Sequence, residues 1–142
     1  MSDTHEFEVA TNKFTVQIEG FDFKNCSAVS GLDVMTEKLD VQEGAQKQIS
    51  YRKGRTYAAD LVLTRVFKNK NLFSWFKECQ QGRVEKRSGS IVCTDDEGQQ
   101  VATFLLNGCW PIAWSGPVFS TQSAGDIAYE TVKLAVEDLD LE

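Results

Sequence analysis

Residues 57–67 carry apolar side chains on both faces of an extended segment. Tyr57, Ala59, Leu61, Leu63 and Phe67 point one way, and Val62 and Val66 the other. A strand that is apolar on both faces must be covered on both, so this segment alone demands a layered fold. The natural cover follows directly: Leu72, Trp75, Phe76 and Cys79 recur at helical spacing, with Asn69 or Asn71 as the N-terminal cap and Gly82 as the stop. An aromatic stripe on one face of an amphipathic helix is core packing, so Leu72, Trp75, Phe76 and Cys79 are expected to face the interior.

Other segments read as strands. In residues 14–18, Phe14, Val16 and Ile18 alternate with Thr15 and Gln17, the pattern of a half-buried strand, and Gly20 punctuates it. Residues 90–94 and 100–106 flank Asp95-Asp96-Glu97-Gly98, an acidic glycine-containing hairpin turn. A tryptophan-rich stretch, residues 107–117, holds both prolines. Pro111 cannot donate to a ladder, so a bend or an edge is expected there, anchored by Trp110 and Trp114. A last strand covers residues 127–136, and the acidic end, Glu137, Asp138, Asp140 and Glu142 around Leu139 and Leu141, is either a frayed tail or an edge that docks on a neighbour.

One pair of arms does not fit a monomeric core. Residues 35–42 and 46–53 flank Glu43-Gly44-Ala45 as a long hairpin. Thr36, Lys38, Asp40, Gln42, Gln46, Gln48 and Ser50 share it with only Leu39, Val41, Ile49 and Tyr51. Such a ribbon is marginal alone in water, and its open edges are templates for pairing. It is either a solvated arm or a ribbon completed by another chain. Together these segments make seven or eight strands and one helix in a single domain, residues 1–142. The fold class is mainly β, an antiparallel β-barrel or sandwich with one flanking α-helix.

Composition narrows the function. At 142 residues, 42% of them hydrophobic, the chain supports one globular core. The net charge of −6 gives no general attraction to nucleic acid or anionic lipid. No apolar run approaches the roughly 20 residues of a membrane span, and the first residues lack the pattern of a secretory signal. Cys26, Cys79, Cys93 and Cys109 are scattered without CxxC spacing and read as buried thiols. His5 is the only histidine and lies near the N-terminus, which leaves a nucleophilic dyad without a base. Asp95-Asp96 lacks the alternating oxygen ligands of a tight calcium loop. Without the glycine-rich phosphate loop or the metal spacing that most cofactor sites need, no enzyme activity, cofactor or metal is expected.

The order of segments FTVQIEG, AVSGLDV, ISYRKG, ADLVLTRVF, NLFSWF and NGCWPIAWSGP, ending in an acidic-hydrophobic tail, resembles the tail-tube family of T4-like phages and the tube proteins of phage-like extracellular injection systems. The resemblance runs from about residue 7 to residue 141. It implies hexameric rings that stack into a hollow tube, with strands of every subunit forming one barrel around the lumen. It also implies sheath, baseplate or tube-initiator and terminator proteins as partners, and protein or DNA cargo in the lumen. Assembly is implied in the bacterial cytoplasm, as part of a virion tail or of a released or membrane-docked injection particle. On this basis Thr36, Lys38, Asp40, Gln42, Gln48 and Ser50 are expected to face the lumen or a neighbouring subunit, and Leu39, Val41, Ile49 and Tyr51 the subunit's own core. Glu137, Asp138, Asp140 and Glu142 are expected at a contact between subunits or rings, around a polar, net acidic lumen. Alternatives are a tube-initiating ring protein of the baseplate, and a monomeric barrel binding an apolar ligand among Phe104, Trp110 and Trp114.

Overall fold

The structure, a computed structural model, describes residues 6–24, 26–42, 44, 48–122 and 124–142. His5 and, in the hairpin turn, Glu43, Ala45 and Gln46 lie outside the described residues. Ten strands and one helix follow the order β1 (Phe14–Ile18), β2 (Phe21–Asp22), β3 (Cys26–Ser30), β4 (Val34–Val41), β5 (Ser50–Ala58), β6 (Leu61–Val66), α1 (Asn71–Gln80), β7 (Arg87–Thr94), β8 (Gln100–Ser115), β9 (Tyr129–Ala135) and β10 (Asp138–Leu141). Eight strands form one antiparallel sheet in the order β2-β1-β7-β8-β9-β6-β3, with β10 also on β8. The ribbon β4–β5 is a separate two-stranded sheet.

The sixteen-residue β8 holds the sheet together by belonging to both of its halves. Residues up to Cys109 pair with β7, and Trp110 to Ser115 pair with β9. The change falls where Gly108 adopts a positive φ of 68° and a bulge separates Pro111 from Ala113. Strands that switch sheets do so through such irregularities. Pro111, expected at a bend or an edge, is buried at this bulge. Its missing N–H is tolerated because β7 has already ended on that side.

Residues 57–67 are not one strand. Tyr57 and Ala58 close β5 in the exposed ribbon, and β6 begins at Leu61. The break is fixed at Gly31, φ 92°, where a Cβ would collide with the carbonyl oxygen of Asp60. In β6 the inward set is Leu61, Leu63 and Arg65. The YRKG segment lies within β5.

Leu61, Leu63, Ile91, Leu106, Cys109, Val132 and Leu134 pack into one core with Leu72, Trp75 and Cys79 of α1, while Phe76 is half-buried. Lys70 occupies the N-cap of α1 without a side-chain bond, and the Asn69 side chain instead accepts from the Asn71 amide at 3.1 Å. The C-terminus closes on Gly82, φ 97°, with its amide on Cys79 O and the Arg83 amide on Glu78 O, a Schellman motif.

Candidate functional site

The β4–β5 ribbon leaves the sheet between two fixed points. At its root the Ala59 amide donates to Asp33 O at 2.9 Å, and farther along Thr36 and Thr56 join hydroxyls at 2.9 Å. Across the pair, Gly54 and Arg55 together oppose Glu37, a bulge that shifts the register by one residue. Because directly opposite residues share a face, Thr36, Lys38, Asp40, Lys53, Thr56 and Tyr51 fall on one side, and Met35, Glu37, Leu39, Val41, Ser50, Arg52 and Tyr57 on the other. The Lys38 ammonium sits 4.2 Å from the Tyr51 ring centroid on the first face, and Arg55 reaches Glu37 at 3.5 Å on the second.

This geometry changes two sequence expectations. Ser50 lies opposite Val41 and Tyr51 opposite Asp40, so the polar–apolar split expected for the second arm is inverted. The cause is the bulge, since a slip of one residue moves side chains to the opposite face. Nor does the apolar set rest on the subunit's own core: Leu39 is 47%, Ile49 49% and Tyr51 57% exposed. Thr36, Lys38, Asp40, Gln42, Gln48 and Ser50 are all exposed as well. Residues 34–58 hold Lys38, Lys47, Arg52, Lys53 and Arg55 against Glu37, Asp40 and Glu43, so the ribbon is net basic in a chain of net charge −6.

The acidic end is no frayed tail. The Glu137 amide donates to Asn107 O at 3.0 Å, β10 pairs with residues 104–107 of β8, and Thr103 and Glu142 exchange backbone bonds of 3.0 and 2.8 Å. Asp138, Asp140 and Glu142 remain exposed, whereas Glu137 pairs with Lys86 of the same chain. The structure brings β10 against β5, so the ribbon and the acidic end adjoin.

Among the cavities lined by described residues, none brings Phe104, Trp110 and Trp114 together. Phe104 lines an apolar cavity of about 350 Å³ with Phe14, Val29, Leu32, Ile91 and Cys93, which neither tryptophan reaches. Trp114 instead packs edge-on against Phe67 and Phe73 beside α1, at centroid distances of 6.3 and 4.9 Å. On the opposite flank, Phe21 stacks on Trp75 at 4.8 Å, and the Arg87 guanidinium lies 4.7 Å from the Phe21 ring while donating to Glu19 O.

Among the described residues no group of His, Cys, Asp and Glu could hold a metal ion, and no helix is long and apolar enough to cross a membrane. Burial pushes the Cys109 thiol up to about 11 and raises Cys93 and Cys26, the opposite of nucleophile activation. Asp95 is occupied as a turn acceptor, its Oδ1 taking the amides of Glu97 and Gln99 at 2.9 Å each. Two features had little sequence signal: the buried pair Arg65–Glu130, and the loop residues Val118 and Phe119, which are 94% and 79% exposed.

Among curated proteins none matches the sequence. Solved structures share its fold. The PVC sheath-tube complex of an extracellular contractile injection system in the extended state superposes with a TM-score of 0.82 at 22% identity, over 100% of this chain and 99% of that one. The tube-terminating cap of the anti-feeding prophage gives 0.81 at 18% identity, over 100% and 95%. Hcp1 from Flavobacterium johnsoniae gives 0.56 at 14%, over 91% and 94%. The family model for the T4-like virus tail tube protein gp19 matches residues 10–140, and the chain therefore belongs to that tail-tube family.

Proposed function

We propose that this chain is the main tube subunit of a contractile phage tail or phage tail-like injection system, forming hexameric rings that stack into a hollow tube. The observation that carries this is the β4–β5 ribbon: two strands outside the main sheet, paired among the described residues only with each other, with apolar residues exposed on both faces. A lone two-stranded ribbon is marginal in water, and its open edges invite strands from a neighbouring copy. Closing a ring of such ribbons removes the edges, and stacking rings by a heterologous contact leaves an open filament.

On this basis the ribbon residues Thr36, Lys38, Asp40, Gln42, Gln48 and Ser50 line the lumen or the subunit boundary. Asp138, Asp140 and Glu142 lie at a contact between subunits or rings, within reach of the basic ribbon. Sheath contraction drives the tube into a target envelope, with initiator and terminator proteins at its ends and protein or DNA cargo inside. The particle assembles in the bacterial cytoplasm, and the subunit is structural rather than catalytic. Negative-stain imaging of the purified chain across a concentration series, alone and with baseplate partners, tests the proposal. Rings or rods with a central hole are expected; compact single particles at every concentration would refute it.

A further inference from the structure

Between β8 and β9 the chain runs through Gly116, Pro117, Val118 and Phe119. Val118 and Phe119 are the most exposed large apolar residues among those described. Two adjacent apolar side chains held out on a loop have no role in the packing of their own subunit, and such exposure marks a contact surface. Pro117 restricts the backbone leading into the pair, which limits the ordering entropy lost when it is buried.

The same chain carries a matching recess. The cavity of about 350 Å³ opens where β3 faces β1, β7 and the first half of β8 without closing the barrel. Its apolar walls include Phe14, Val29, Leu32, Ile91, Cys93 and Phe104, and residues 9–11 of the same chain border it. Neither Val118 nor Phe119 lines it. In the sheet register, Ser115 lies level with Thr131, Thr64 and Ala28, so three strand spacings of about 4.8 Å separate the base of the loop from the β3 wall.

We propose that Val118 and Phe119 of one subunit insert into this cavity of a second copy of the same chain. The proposal rests on the tube reading above and adds a specific contact to it. Protrusion and recess occupy different places on one subunit, so their union is heterologous: each copy offers one and fills one, and the contact either closes a ring or propagates along a filament. An apolar side chain filling a pocket on its partner is also the usual form of an interface hot spot.

Two experiments on the full-length chain decide it. On a Cys26→Ala background, Phe119→Cys combined with Ser27→Cys at the exposed rim of the cavity should give, with a short bismaleimide, a ladder of dimers and higher covalent oligomers linking residue 119 of one copy to residue 27 of the next. Restoring Ser27 should remove the ladder. Crosslinks confined within single chains, or a ladder that survives with Ser27 restored, would overturn the proposal. In Val118→Ser/Phe119→Ser the melting temperature should stay unchanged while the concentration needed for assembly rises by at least about tenfold. Tubes forming at the wild-type concentration would sink the contact and leave the tube reading standing. If those tubes also fail to recruit sheath, the loop's partner is sheath, and the proposal falls equally. Failure of the wild-type chain itself to form rings or rods would remove both.

Discussion

The Nε of Arg65 donates to Oε1 of Glu130 at 3.0 Å, with both side chains 1% exposed, at directly opposed positions of β6 and β9. Nη2 of Arg65 also donates to Asn69 Oδ1 at 2.9 Å, and the guanidinium lies 5.2 Å from the Phe23 ring centroid. The Arg65 bonds link β6 to β9 and to the residue before the α1 cap, so one buried cation sets the position of three segments. Oε2 of Glu130 has no hydrogen-bond partner among the described residues.

Removing one partner strands the other charge in the core. Glu130→Ala is expected to cost about 3–5 kcal/mol in urea unfolding of the unassembled chain. Replacing both residues by apolar ones of similar volume, as in Arg65→Met/Glu130→Leu, should cost much less. A double variant as unstable as the single one would show that the pair stabilises the fold beyond compensating its own burial.

Burial raises the Glu130 carboxyl above its usual value of 4.5, and Arg65 opposes that shift. With a raised native pKa the folded chain binds the proton more tightly than the unfolded chain. This contribution is therefore present in full below about 4.5 and lost as pH rises through the raised native value. The stability of the wild type minus that of Glu130→Gln should fall with rising pH across this window. A difference that rises instead would mean that attraction to Arg65 outweighs burial.

Gly31 and Gly98 both have positive φ, 92° and 82°, yet only Gly31 lies against backbone, at Asp60. Gly98→Ala should cost about 1–2 kcal/mol, from the left-handed conformation alone. Gly31→Ala must also displace the root of the ribbon and should cost clearly more, while lowering assembly. Equal thermal shifts for the two variants would contradict the close approach.

Leu39 and Ile49 are exposed in the single chain and proposed to be covered in the assembly. Leu39→Asp/Ile49→Asp should leave the unassembled chain within about 0.5 kcal/mol of wild type, as exposed substitutions do, and abolish rods in the electron microscope. Rods of normal length from this variant would take the ribbon out of the interface.

Cys109 is fully buried with its thiol raised to about 11, whereas Cys26 is half-buried. Alkylation of the native chain followed by peptide mass spectrometry should therefore label Cys26 first and Cys109 only on unfolding. Early labelling of Cys109 would mean that the β8 corner opens locally.

Local pattern in the sequence was sufficient for the strand at Phe14, Val16 and Ile18, for the helix buried through Leu72, Trp75 and Cys79, and for the existence of the ribbon. The strand and the helix rest on periods of 2 and 3.6 residues that neighbours in the chain already display, and the ribbon on the turn signal at its middle. The order of short motifs likewise carried the tail-tube family, later matched over residues 10–140. What only the tertiary structure decided depends on partners far away in the chain. Arg65 looks like an exposed charge until Glu130, sixty-five residues on, is set opposite it. Which face Ser50 and Tyr51 occupy turned on a single bulge at Gly54–Arg55, because in a two-residue period one extra residue reverses every side chain beyond it. The acidic end became a strand only when β8 offered it a free edge.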